Sequence, residues 1–117
     1  MEIPFGKYYQ QGNNSSYVEI IDNSKLRFVN IDFTDYWYRL CDVVVDEYDN
    51  KICDDSTMKD AILTALKKPL SYTRIDSERV ELFAYIEDGS ILGLFLYFSP
   101  DDLSFEVENR KYILEYN

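Results

Sequence analysis

From Val80 to Tyr116 the chain alternates four apolar runs with three turn signals, and this pattern constrains the fold more than any other feature. Val80–Ile86 runs into Glu87-Asp88-Gly89-Ser90, and Asp-Gly between apolar runs is a strong short-range mark of a β-hairpin. Ile91–Phe98 follows and ends at Ser99-Pro100-Asp101-Asp102, a turn with proline at its second position. Leu103–Val107 alternates, Glu108-Asn109-Arg110 turns, and Tyr112–Tyr116 closes the segment. The spacing predicts a β-meander and therefore an antiparallel sheet. Ile91–Phe98 is apolar on both faces, which implies cover on both.

The first third is also strand-like. Gly6-Lys7-Tyr8-Tyr9-Gln10 reads as a strand, Gln11–Ser16 as a polar loop and Tyr17–Ile21 as a second strand with Val18 and Ile20 on one face. A third strand spans Lys25–Phe33. Its apolar residues change parity between Phe28 and Val29, so a bulge or bend is expected near Val29-Asn30. The middle has another period. Trp37, Leu40, Cys41, Val44 and Tyr48 fall at helical spacing after Thr34 or Asp35 as N-cap, although the β-branched run Val43-Val44-Val45 argues for strand. Thr57-x-x-Asp60 offers a capping box to a second helix carrying Met58, Ile62, Ala65 and Leu66, which Pro69 stops. Ser71–Ile75 is a further short strand.

The expected fold is thus mainly β (α+β). It is a small antiparallel β-barrel or curled meander sheet of about 7–8 strands, with a two-helix insertion after the third strand. One domain covers 1–117: strands in 1–33, the helical insertion in 34–69 and the meander in 70–117. Gly6-Lys7-Tyr8 at the start of the first strand resembles the Gly-x-Trp opening of small bacterial lipocalin-like (calycin) β-barrel domains, with Tyr for Trp. Arg110 or Lys111 stands where that superfamily packs a basic side chain over the aromatic. The Tyr and the helices after the third strand depart from the family pattern. The resemblance implies a barrel that carries a small apolar ligand.

Composition narrows the chemistry. The chain has no histidine, which removes the commonest general base and metal ligand and excludes Ser-His-Asp and Cys-His catalysis. Its two cysteines, Cys41 and Cys53, make neither a disulfide framework nor a four-ligand zinc site; Cys41 lies on an apolar stripe and Cys53 among carboxylates that disfavour a thiolate. No cofactor and no metal are expected. A net charge of −10 repels nucleic acid and anionic membrane and leaves a basic protein or a cation as an allowed partner, although solubility is the simplest account of such a charge. Met1-Glu2-Ile3-Pro4-Phe5 lacks the features of a signal peptide, so a cytoplasmic location is expected; a mature secreted domain behind a new Met would read the same.

Seven carboxylates stand against Arg39 and Lys51 between Asp35 and Asp55. No EF-hand spacing occurs there, and a solvated face is the simplest account of such a run. Adjacent pairs such as Asp54-Asp55 and Asp101-Asp102 do not face one another as glycosidase carboxylates must. The expectation is a non-enzymatic acidic binding protein of the inhibitor or immunity type. It would engage its partner through Trp37, Asp42, Asp46, Tyr48 and Asp49. The alternative is a lipocalin-like carrier whose cavity is lined by Tyr8, Phe28, Phe95, Tyr97, Phe105 and Tyr112. Against a cavity stands the tendency of small barrels to fill with their own side chains.

Overall fold

In the computed structural model, residues 3–33, 44–45, 48, 50, 59–86, 91–107 and 109–115 are described. They form strands β1 (Gly6–Gln10), β2 (Asn13–Ile20), β3 (Lys25–Val29) and β4 (Val44–Val45), then helix α1 (Lys59–Ala65). Strands β5 (Leu70–Arg74), β6 (Arg79–Tyr85), β7 (Ile91–Ser99), β8 (Ser104–Val107) and β9 (Arg110–Leu114) follow. All pairings are antiparallel. Eight strands close into a barrel in the order β7-β6-β5-β3-β2-β1-β9-β8, with β8 returning to β7. β6 holds one edge of β7 from Ile91 to Tyr97, so β4 and β8 share the other edge, at Ile91–Leu92 and Tyr97–Ser99 respectively.

The register follows from period-2 alternation, because a one-residue slip would turn every core side chain outward. Tyr8 pairs with Val18, Val18 with Phe28, Leu26 with Leu70, Tyr72 with Leu82, Val80 with Leu96 and Phe98 with Phe105. Every one of these side chains is buried. At the centre, the Tyr8 ring meets Phe105 edge-on at 4.9 Å between centroids and Phe98 at 6.4 Å, while Phe98 and Phe105 lie 5.1 Å apart.

Phenol tips and an arginine close the ends, as rings with one polar atom do when that atom finds a partner. Tyr8 Oη donates to the Pro4 carbonyl at 2.6 Å and Tyr72 Oη to the Asp22 carbonyl at 2.7 Å. Arg74 lies over the Phe98 ring at 5.4 Å and donates to the carbonyls of Asp76 and Ser77 at 3.0 and 2.8 Å. α1 joins the same core through Ile62 and Ala65, and Leu66 adds to it from the turn just past the helix.

Four boundaries differ from the sequence expectation. Val44–Val45 form a strand beside Leu92 and Ile91 rather than part of a helix. Adjacent β-branched side chains lose rotamer freedom in a helix and fit a pleated surface, and here that preference outweighs the 3.6-residue spacing. Tyr48 is in a turn; the other residues of the expected first helix, and Thr57 of the capping box, lie outside the described residues. The expected two-helix insertion is therefore one short helix among the described residues.

Next, the expected loop at Gln11–Ser16 shrinks to a turn at Gln11-Gly12, with Gly12 at φ +86°. β2 then begins at Asn13, whose Oδ1 accepts the Ser15 N–H at 3.1 Å. Third, β9 starts at Arg110 rather than Tyr112, because Val107 pairs directly with Arg110 and Asn109 takes φ +64°. Fourth, the third strand ends at Val29 rather than Phe33: the bend expected within it falls at Asn30, where φ is +54°, and strand pairing does not resume by Phe33. Ser16 Oγ donates to its carbonyl at 2.6 Å and Asn30 Nδ2 donates to the Ser15 carbonyl at 2.9 Å.

Candidate functional site

The side chains proposed from sequence separate into three places. Trp37, Asp42, Asp46 and Asp49 lie outside the described residues, whereas Tyr48 is 75% exposed. Tyr8, Phe28, Phe105 and Tyr112 are buried in the barrel core. Phe95 and Tyr97 stand on the opposite face of β7, 53% and 57% exposed. The six rings proposed as a cavity lining therefore do not face one common space. Parity decides this: Leu92, Leu96 and Phe98 point inward, so the odd residues of β7 point out.

That outward face is the most distinctive exposed surface among the described residues. On it β7 presents Ile91, Gly93, Phe95 and Tyr97 in line. Across the ladder Glu81 of β6 opposes Phe95, while Tyr97 is flanked by Arg79 of β6 and Glu106 of β8. Glu106 in turn opposes Lys111 of β9. Tyr85, 72% exposed, continues the aromatic line on β6 opposite Ile91. A Cβ added at Gly93 would meet nothing within 4 Å, so the floor is open beside Phe95.

A cleft of about 670 Å³ adjoins Tyr97, lined by Glu78, Pro100, Asp101, Glu106, Arg110 and Lys111 among others. Its size is that of a ligand-binding site, but its rim carries charges of both signs and its wall is an exposed ring.

The charges on this face are not equivalent. Arg79 Nε is held by Asp76 Oδ2 at 2.8 Å, and Lys111 Nζ pairs with Asp102 Oδ2. Asp76 also accepts the N–H groups of Glu78 and Arg79; the Glu78 N–H, then the Arg79 side chain, hold its carboxyl below the usual range. Lys111, then the Ser104 hydroxyl, lower the Asp102 carboxyl to about 2. Arg79 is thus neutralised within its own turn and Lys111 by the β7–β8 turn across the sheet, while Arg110, which also lines the cleft, makes no ion pair among the described residues. Glu78, Glu81, Asp101 and Glu106 make no ion pair among the described residues. The face that results is aromatic in the middle and anionic at its sides.

Elsewhere the structure offers little chemistry. No group of three or more metal-ligating side chains gathers among the described residues, and no helix among them is long and apolar enough to cross a membrane. No buried side-chain nitrogen or oxygen among the described residues lacks a partner.

Sequence reasoning missed this face although the signal was present. Once the even residues of β7 are assigned to the core, Phe95 and Tyr97 must lie outside. The reading of Ile91–Phe98 as covered on both sides took apolarity for burial, and apolar atoms make up much of any protein surface. No protein-family model, curated protein or solved structure matches the chain.

Proposed function

We propose that the protein is a non-enzymatic acidic binding protein that engages a basic protein partner. Its recognition surface takes in the outer face of β6, β7 and β8. The observation that carries this reading is the exposure of Phe95, Tyr97 and Tyr85 in a surface where the unpaired carboxylates Glu78, Glu81, Asp101 and Glu106 outnumber the one unpaired cation lining the adjoining cleft, Arg110. Exposed aromatic anchors supply binding energy, and the charges around them orient the partner and speed its approach. A net charge of −10 acts in the same direction at long range. Tyr48, exposed and set in the acidic stretch from Asp35 to Asp55, extends the same chemistry, with Trp37, Asp42, Asp46 and Asp49 as its companions in sequence.

The test is cross-linking in a lysate of the source cells at two salt concentrations, using the native chain and a Phe95→Ser/Tyr97→Ser variant. A basic protein captured by the native chain, lost with the variant and weakened at high salt, is the expected result. Capture that is indifferent to both changes would remove the reading.

A second reading has one observation in its favour. An eight-stranded meander closed by β1 against β9 is compatible with a lipocalin-like carrier of a small apolar ligand. The edge-on packing of Tyr8, Phe98 and Phe105 in the interior weighs against it. Native mass spectrometry of the protein from its source cells separates the two, since a carrier would travel with a small molecule.

A further inference from the structure

Phe95 and Tyr97 are two residues apart on one face of one strand, each with a carboxylate beside it, and that spacing specifies a ligand. We propose that this face binds an extended segment of the basic partner in which Arg or Lys occurs at alternate positions. The inference rests on the partner-binding reading above and goes on to name the motif recognised.

Residues i and i+2 of a β-strand stand roughly 6.5–7 Å apart on the same side. An extended peptide presents its own alternate side chains at the same interval, so it can run along β7 with one basic side chain over each ring. The aliphatic stems lie on the rings of Phe95 and Tyr97, and the cations face the electron-rich ring surfaces. Glu81 opposes Phe95 from β6 and Glu106 opposes Tyr97 from β8, which puts a carboxylate within side-chain reach of each seat. Glu78 and Asp101 line the cleft next to Tyr97 and leave room for the longer side chain of the pair. Asp76 and Asp102 pair with Arg79 and Lys111, so Arg110 is the one unpaired cation lining this cleft, against the carboxylates of Glu78, Asp101 and Glu106.

Gly93 widens the track: with no side chain there, the peptide backbone can approach the sheet beside Phe95. Arginine is favoured over lysine, since a guanidinium stacks flat on an aromatic face and bonds a carboxylate with two N–H groups.

The probes are two synthetic peptides of one composition: Arg-Thr-Arg-Thr-Arg-Thr-Arg and its isomer Arg-Arg-Thr-Thr-Arg-Arg-Thr, in which no two arginines stand two residues apart. Binding to the full chain is measured by titration calorimetry at low and at physiological salt. The alternating peptide is expected to bind about twofold to fivefold tighter than this isomer, from the one exposed cation–π contact that the isomer forgoes. Phe95→Ser/Tyr97→Ser should abolish that preference. Gly93→Lys should also abolish it, because it places a cation over the floor at a position with room for a side chain. Both variants alter exposed or open positions, and far-UV circular dichroism checks that they fold.

Equal affinity for the two isomers would overturn the alternation inference yet leave the basic-partner reading intact, since charge attraction alone would explain it. A preference that survives either variant would move the site elsewhere and overturn the inference too. Failure of both peptides to bind at low salt would overturn both readings.

Discussion

Replacing Tyr8 tests whether the barrel is held by a solid interior. The ring is fully buried, packs edge-on against Phe105 and Phe98, and donates its hydroxyl to the Pro4 carbonyl. Tyr8→Phe keeps the ring and removes one hydrogen bond, which costs about 1 kcal/mol. Tyr8→Ala removes the ring as well. Large-to-small aromatic substitutions in packed cores cost about 3–5 kcal/mol, because transfer energy and cavity formation add. For a chain of this length the unfolding entropy is about 0.25 kcal/mol/K, so Tm should fall by about 4 °C for Tyr8→Phe and about 12–20 °C for Tyr8→Ala.

Urea unfolding followed by far-UV circular dichroism, with thermal scans alongside, gives both quantities. The Tyr8→Ala cavity would be lined by Phe98, Phe105 and their apolar neighbours, and such cavities stay dry and accept benzene. Benzene should therefore raise the Tm of Tyr8→Ala and leave the native chain unchanged. A loss below about 1 kcal/mol for Tyr8→Ala would refute the reasoning, since the removed ring would then have had no close neighbours. A native Tm that rises with benzene would refute it as well, and would favour the carrier reading.

Acid should weaken the β7–β8 turn in a defined window. The Asp102 carboxyl sits at about 2 in the folded chain against 3.8 ordinarily, so its contribution is complete above about pH 4 and lost as pH falls towards 2. Urea midpoints measured from pH 5 to pH 2 should fall less steeply for Asp102→Asn than for the native chain, and parallel curves would show that the Lys111 contact is energetically silent. Gly6 has φ +132°, and an added Cβ would meet Leu114 Cδ1 at 3.3 Å. Gly6→Ala should therefore lose about 1–3 kcal/mol in the same urea assay, from backbone strain and crowding against β9 together.

The meander was legible from the sequence because each of its signals is local. Pro100, the alternation of β6 and β8, and the polar break after Val107 each act within a few residues, and the observed strands fall within two residues of those expected. Val44–Val45 was ambiguous for the opposite reason. Two short-range preferences conflict there, and what decides between them is Leu92 and Ile91, more than 40 residues away. The chemistry of the outer face depends on such distant pairings throughout. That Phe95 is apolar can be read from the chain, but that it lies beside Glu81 follows only from the β6–β7 register, and that Tyr97 lies beside Glu106 only from barrel closure. The neutralisation of Arg79 is local, since Asp76 is three residues away, whereas that of Lys111 by Asp102 again needs the sheet. A face whose charges are sorted by strand pairing has no motif of its own in the sequence. The recognition chemistry proposed for it rests on the register: aromatic rings at the strand interval with carboxylates alternately to left and right.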